Sequence, residues 1–573
     1  MRKEIKEIIK KAINGLQKDL SAEAGDLNFS VEIPGEKSHG DYSTNVALVL
    51  SKKIGKSPVE IANLIKEKIG NNGLFFKIEV AGSGFINFFV ADKVFIDNLK
   101  NINKNYGKGK ELRNKRIILD YTDPNILKEF HIGHLMNNAI GESLSRIFEF
   151  QGAKVKRACY QSDVGISVAK AVWGILNLPS HPMFPKNSDS LESKMKFLSM
   201  AYAYGSKMHE ENENAKKEIV ELNKKIFKRS DKEINKIYDK GKKWSLEHFD
   251  EIYKKLGTKF DYFIFESHVS DLGKKIVEKG LKKGIFEKGD KGAIVFKGEK
   301  YGLHTRVFIN SEGLPTYEAK DLGLAEIKYK KYKYDQSFIV TGNEVNEYFK
   351  VMLCAMEKIN PSLAKKTKHI GHGILRLPEG KMSSRTGRVI TAESLIERIK
   401  ELIKEKIKNR DLSDIEKNKI AESVAIGAIR YSILKQSIGS DIVYDFEKSV
   451  SFEGDSGPHL QYSYARAMSV LKKAKNEKIN PSFKKIPEKI SLIEKMMYHF
   501  PEVIEKASRE YQPNSITLYL TELAGAFNSY YAKNKIVNKK DEFSPYKLAL
   551  TNAFVAVMKN GMWLLGIEPL EKM

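Results

Sequence analysis

Two histidines bracket a glycine in His131-Ile132-Gly133-His134, and about 250 residues further on stands Lys381-Met382-Ser383-Ser384-Arg385. The first tetrapeptide opens an apolar stripe in which Leu135, Met136, Ile140, Leu144, Ile147 and Phe148 recur at helical spacing. A helix N-terminus offers free backbone N–H groups and a positive dipole end, and a glycine there lets a flat ring or a phosphate approach the backbone. His131 and His134 then add two side-chain donors aimed at one polyphosphate. The second segment follows the turn Pro378-Glu379-Gly380 and places one ammonium, one guanidinium and two hydroxyls on a loop. That composition suits charge that grows on phosphates during a reaction and departs with pyrophosphate. Alone, the first motif reads more simply as two surface histidines at a helix start, and the second as an exposed basic loop. Together, in this order, they point to nucleotide chemistry. No GxxxxGK[ST] occurs, which disfavours a Walker-type ATPase.

Elements able to position these groups are legible around them. Arg116-Ile117-Ile118-Leu119-Asp120 reads as a buried parallel strand, the stripe after His131 as a helix ending near Gly152, and Val155 onward as the next strand. Strand, loop, helix and strand in that order begin a doubly wound nucleotide-binding fold. Residues 190–253 are dense in charge and almost free of Gly and Pro after Gly205, which predicts long helices inserted into that fold. Ile339-Val340 and 368–377 supply later strands, and the pattern from Ala392 onward is nearly all helical. Leu520, Leu523, Phe527 and Tyr531 mark one face of a buried helix. The first hundred residues form a separate α/β module: an amphipathic helix, Gly40 to Asn45 opening a second helix through Leu50, then strands over 76–80 and 85–90. Residues 105–110, polar and rich in Gly and Lys, read as a linker.

At 573 residues, two to four domains are expected. With 41% hydrophobic and 30% charged residues the chain is ordinary globular material, not a disordered one. The 98 Lys+Arg against 73 Asp+Glu, a net charge of +25, invite a polyanionic partner, although lysines that merely solvate helix faces would produce the same excess. Cys159 and Cys354 stand alone, so a disulfide framework and a structural metal site are both disfavoured, and a reducing cytoplasm fits. No apolar run reaches the length of a membrane span, and Glu4 and Glu7 argue against a transit peptide.

The run from Asp120 to Leu135, Asp120-Tyr121-Thr122-Asp123-Pro124-Asn125-Ile126-Leu127-Lys128-Glu129-Phe130-His131-Ile132-Gly133-His134-Leu135, resembles the arginyl-tRNA synthetases of class I, with a Pro-Asn and a Lys just before the histidine motif. The resemblance covers most of the chain. Gly40-Asp41-Tyr42 and Gly84-Phe85-Ile86-Asn87 look like the family's N-terminal additional domain. Gly457-Pro458-His459-Leu460-Gln461-Tyr462, Ala465-Arg466 and the ending Leu564 to Ile567 with Met573 look like its helical anticodon-binding domain. It implies an α/β multidomain protein: residues 1–108 an additional, tRNA-contacting domain, 109–440 a Rossmann-type catalytic domain with helical insertions, 441–573 an all-helical anticodon-binding domain. It implies activation of L-arginine with ATP, entering as its Mg²⁺ complex, and transfer to the 2′-hydroxyl of the terminal adenosine of arginine tRNA. No tightly bound cofactor, no resident metal, no membrane partner and a monomeric state go with that expectation.

The residue roles follow from the same resemblance. His131, His134, Lys128 and Lys381 act on the phosphates, Lys128 standing in for the second lysine of the loop, where Ser384 is found. Gly133, Met382, Ser383, Ser384 and Arg385 complete the ATP-binding set. Asp120 and Asn125 match positions that contact the amino acid. Arginine presents a planar, permanently charged fork of five donors, so its pocket needs carboxylates and acceptors in fixed geometry. Tyr317 and Asp321, one helical turn apart, put a phenol and a carboxylate on one face, and the resemblance gives them the guanidinium.

Two stretches depart from the family. Asp163-Val164-Gly165-Ile166-Ser167 stands where Asp-Trp-Gly-Thr-Gln is usual, and Gly342-Asn343-Glu344-Val345 lacks a final Gln or His. Other readings therefore stand beside this one: a class I synthetase for another amino acid such as glutamate or cysteine, an HxGH nucleotidyltransferase, or a tRNA-binding paralogue without catalysis. The alternation of Lys and Tyr over 328–334 could track single-stranded RNA, but a buried strand follows at once, which favours a solvated helix end or edge.

Overall fold

The computed structural model describes residues 1–16, 27–178, 185, 186, 188–376 and 391–573. Met1–Ile102 with Phe483–Tyr498 form one compact unit, and Asn103–Ser482 with His499–Met573 form another.

In the first unit, α1 (Arg2–Asn14) is followed by strands β1 (Val31–Glu32) and β2 (Tyr42–Thr44), helices α2 (Val46–Ile54) and α3 (Pro58–Ile69), strands β3 (Phe75–Ala81) and β4 (Phe85–Val90), and α4 (Asp92–Asn101). The sheet is antiparallel in the order β1-β2-β4-β3. Alternation along β4 sends Ile86, Phe88 and Val90 inward against Ile5, Ile9, Ile61 and Ile65. Residues 42–44 form a strand, not the helix start expected of them. Tyr42 is buried, and the Thr44 hydroxyl donates to Ser30 O and accepts the Val46 N–H, so helix begins two residues later.

The second unit is built on five parallel strands: β5 (Arg116–Asp120), β6 (Lys154–Gln161), β7 (Tyr262–Phe265), β11 (Gln336–Gly342) and β12 (Thr367–His372), in the order β12-β11-β5-β6-β7. The order reverses direction at β5, so the crevice beyond the carboxyl ends of β5 and β11 is the topological switch point of a doubly wound sheet. Helix α5 (Ile132–Phe150) crosses from β5 to β6; its Leu135, Met136, Ile140, Leu144, Ile147 and Phe148 are all buried, as their spacing predicts. Between β6 and β7 come α6 (Ile166–Asn177) and the three inserted helices α7 (Leu191–Glu211), α8 (Glu213–Lys228) and α9 (Lys232–Lys255). Helix α10 (Glu266–Lys282), the small antiparallel sheet of β8 (Glu287–Lys288), β9 (Ile294–Phe296) and β10 (Arg306–Ile309), and α11 (Tyr317–Lys331) lead to β11; α12 (Asn346–Ile359) and α13 (Pro361–Lys366) lead on to β12.

Among the described residues beyond β13 (Leu375–Arg376), the elements are helices apart from β14 (Ile442–Val443): α14 (Ala392–Ile407), α15 (Asp414–Leu434), α16 (Phe446–Ser449), α17 (Gly457–Asn476), α18 (Leu492–Glu510), α19 (Asn514–Lys533) and α20 (Ser544–Leu564). Leu520, Leu523 and Phe527 of α19 are fully buried. Tyr531 is 41% exposed, so the last position of that stripe reaches the surface, where the Arg466 guanidinium of α17 lies 5.2 Å from its ring centroid. The polar segment 105–110 is packed, not a free linker: Gly107 is buried, and Asn560 Nδ2 donates to Tyr106 O at 3.0 Å. Among the described residues no helix is long and apolar enough to cross a membrane.

The end of α20 is tied to α5. Ser143 Oγ donates to Leu564 O at 2.9 Å, and Arg146 Nη1 donates to Trp563 O at 2.9 Å, satisfying carbonyls that a helix end leaves open. Arg430 of α15, 1% exposed, adds a bond from Nη2 to Leu256 O at 2.7 Å. Its guanidinium fills the space in front of Gly566, where a Cβ would lie 1.6 Å from Nη1.

Candidate active site

The loop between β5 and α5 carries unusual backbone. Thr122, Asp123 and Leu127 have φ of 81°, 45° and 63°, values that L-residues adopt at a cost of about 1–3 kcal/mol each. Specific bonds hold them. Asn138 Nδ2 of α5 donates to Thr122 Oγ1 at 3.1 Å, the Tyr160 N–H reaches Asp123 Oδ1 at 2.7 Å, and the Leu127 N–H reaches Ser245 Oγ at 2.9 Å. Asn125 bridges to Ser162 in β-fashion, so the loop runs along the carboxyl end of β6 and delivers His131 to the start of α5.

His131 is the N-cap of α5. Its Nδ1 accepts the Gly133 N–H at 3.1 Å, while His134 Nδ1 accepts the His131 N–H at 3.2 Å, a reciprocal capping box made of two imidazoles. Their rings stack with centroids 3.6 Å apart, and a Cβ at Gly133 would press to 3.0 Å on the His131 ring. Two accepting Nδ1 atoms fix the tautomer: each neutral ring carries its proton on Nε2. Burial, with Lys128 adding repulsion, holds His131 down at about 4. Burial, then His131 and Lys128, holds His134 well below the usual histidine range. At neutral pH both rings are therefore uncharged Nε2–H donors. The Lys128 ammonium lies 3.9 Å from the centroid of Tyr202 on α7.

Lys381, Met382, Ser383, Ser384 and Arg385 lie outside the described residues. The chain resumes beside the histidines: Thr391 bridges to His131, and the Ala392 N–H donates to Phe130 O at 2.8 Å.

A second set of groups gathers at the carboxyl end of β5. Asp120, 1% exposed, takes the equally buried Lys328 ammonium on Oδ2 at 3.1 Å. Lys328 is therefore no part of a solvated helix end; α11 turns it inward to the carboxylate, and Tyr334 beside it is buried too. Asp321 accepts the Tyr348 phenol, and burial, reinforced by Asp120, pushes its carboxyl up to about 7. Tyr317, one turn earlier, is 54% exposed at the start of α11. Sequence reasoning missed Tyr348, Tyr202 and Lys328 as neighbours of these groups. The Lys-Tyr run held a signal only for Lys328, and it pointed to solvent.

Residues 97–446 match the family described as tRNA synthetases class I (R), catalytic domain; residues 3–90 match the arginyl tRNA synthetase N terminal domain, and 460–573 the DALR anticodon binding domain. The chain belongs to the arginyl-tRNA synthetase family. An arginine–tRNA ligase of Borreliella burgdorferi is 33% identical over 100% of both chains, and one of Clostridium acetobutylicum 34% identical over 99% of this chain and 100% of its own. The fold is shared with arginyl-tRNA synthetases of Thermus thermophilus (TM-score 0.79, 22% identity, 100% of each chain) and Plasmodium falciparum (TM-score 0.77, 22% identity, 100% of this chain and 99% of that one).

In the two stretches that depart from the arginyl-tRNA synthetase pattern, the unchanged Asp163 and the altered Val345 both have structural roles. Asp163, fully buried, receives Lys242 Nζ at 2.6 Å, Tyr238 at 3.2 Å, and the Ser267 N–H and hydroxyl at 2.9 and 2.7 Å. It thereby pins inserted helix α9 to the N-terminus of α10. Val345 is partly buried and packs into the core beside Phe349 and Met352, so its side chain serves packing rather than polarity.

Proposed function

We propose that the protein activates L-arginine with Mg–ATP and joins it to the terminal adenosine of arginine tRNA, with the site residues in the following roles. The arginine carboxylate attacks the α-phosphorus in line and pyrophosphate leaves. The enzyme contributes position and charge, not a nucleophile. His131 and His134 donate from Nε2 to the phosphates, Lys128 and Lys381 supply ammonium charge, and Met382, Ser383, Ser384 and Arg385 complete the phosphate loop. Gly133 clears the approach. Asp120 and Asn125 hold the amino-acid end of the substrate, Tyr317 and Asp321 its guanidinium. The 2′-hydroxyl of the terminal adenosine then attacks the adenylate carbonyl.

The observation that carries this reading is the pairing of two neutral Nε2–H donors at a helix N-terminus with a carboxylate-rich crevice at the same switch point. A cationic amino acid and an anionic nucleotide call for opposite charge on the two sides. Division into 1–108, 109–440 and 441–573, action as a monomer, and work in the cytoplasm belong to the same proposal. Radiolabelled charging of total tRNA with each proteinogenic amino acid, ATP and Mg²⁺ tests it. Charging with arginine alone is expected, whereas charging with glutamate, cysteine or any other amino acid refutes the guanidinium assignment.

A further inference from the structure

Thr122 is the outlier of the loop between β5 and α5: a β-branched residue, fully buried, with a φ of 81°. One side chain of α5 reaches it. Asn138, itself 0% exposed, donates from Nδ2 to Thr122 Oγ1 at 3.1 Å. The other end of the same amide, Oδ1, accepts from Thr258 Oγ1 at 3.0 Å and from Arg430 Nη2 of α15 at 3.4 Å. A guanidinium can only donate, so Arg430 assigns the amide: oxygen toward α15, N–H toward the loop.

Arg430 enforces that assignment because it is a buried cation short of acceptors. It is 1% exposed, and among the described residues its Nε and Nη1 have no hydrogen-bond partner. Its Nη2 is shared between Leu256 O at 2.7 Å and the Asn138 oxygen. Glu142 on α5, whose charge acts on it, is already taken by Arg146 at 2.7 Å and Arg157 at 3.0 Å. Turning the Asn138 amide over would set its NH2 against that guanidinium and cost Arg430 one of its two acceptors. The donor therefore stays on Thr122.

We propose that Asn138 and Thr122 are positioning residues for amino-acid activation: the bond between them holds the left-handed turn that sets Asn125 and Lys128 against the substrates. This rests on the roles proposed above for Asn125 and Lys128, and gives neither Asn138 nor Thr122 a contact with substrate. Without the bond the turn at Thr122 is free to relax toward an ordinary backbone angle, and a displacement of about 1 Å at the reacting groups costs up to ~10²-fold in rate.

The test uses two pairs of full-length proteins that differ by one hydroxyl: wild type against Thr122→Val, and Thr122→Ser against Thr122→Ala. Arginine-dependent ATP–pyrophosphate exchange in the presence of tRNA is read well below each thermal midpoint. The expectation is a maximal rate lower by about tenfold or more in Thr122→Val, and the same direction of loss in Thr122→Ala, with Thr122→Ser close to wild type. Adding Thr122→Val to Asn138→Leu changes exchange by less than about twofold, since the bond is already gone. A hydroxyl that serves stability alone lowers the midpoint and leaves exchange unchanged in both pairs, and that result overturns the inference, as does a double variant whose losses multiply. The Ser and Ala pair decides it if Thr122→Val or Asn138→Leu fails to fold. Failure of the underlying reading is separate: wild-type exchange that depends on another amino acid, not on arginine, shows it before any variant is made.

Discussion

Lys328→Met tests the electrostatic frame of the pocket most directly. Lys328 and Asp120 are each 1% exposed and 3.1 Å apart, so the substitution keeps the stem's packing and strands a buried carboxylate whose other oxygen already lacks a partner. Breaking a buried pair from one side costs about 3–5 kcal/mol, because the remaining charge has no compensation. With about 2 cal/mol/K of unfolding entropy per residue, that loss lowers the midpoint of a unit of roughly 450 residues by about 4 °C. Scanning fluorimetry measures it. Lys328→Met/Asp120→Leu, with both partners apolar, recovers most of the midpoint while arginine activation stays lost. A single variant with unchanged midpoint at pH 8 and unchanged KM for arginine refutes the reasoning.

Three further outcomes are expected. His131→Gln, whose amide can reach the Nε2 position, retains more arginine-dependent ATP–pyrophosphate exchange in the presence of tRNA than His131→Asn, which can replace only the Nδ1 cap; loss of the phosphate donor costs about 10²-fold or more. Equal activity of the two variants contradicts phosphate donation from Nε2. Lys381→Ala cuts adenylate formation by orders of magnitude and leaves tRNA affinity, read by filter binding, nearly intact; unchanged exchange removes Lys381 from the phosphate role. Gly566→Ala places a Cβ 1.6 Å from the Arg430 guanidinium at a φ of 70° and is expected to lower stability by at least ~2 kcal/mol, read as a fall in the thermal midpoint.

What the sequence disclosed was what local spacing encodes. The parallel strand at 116–120, the helix after His131, the inserted helices and the helical region beyond Ala392 follow from apolar period and length, which neighbouring residues determine. Lys328 was misread for the opposite reason: its burial depends on Asp120, 208 residues away, and nothing within the Lys-Tyr run reveals that partner. Tyr42 to Thr44 went astray similarly, since their strand exists only through pairing with 86–88. In the candidate site, the family pattern singles out Asp120 and Asp321, and Asp120 adds to the upward push that burial gives the Asp321 carboxyl. Asp123 was not legible, because its placement comes from a left-handed backbone that an Asp-Pro pair does not announce.

The bonds from Ser143 and Arg146 to the last carbonyls of α20 also limit how these genes can change. One inserted or deleted residue in α20 rotates its end by about 100° and shifts it by about 1.5 Å, carrying Trp563 and Leu564 away from both donors. Loops between the C-terminal helices are free to lengthen and shorten, whereas the register of α20 is fixed by a helix whose first residues are the histidines of the active site. Insertions and deletions among relatives should therefore collect in those loops and spare 544–566, however far the surface residues of that helix diverge.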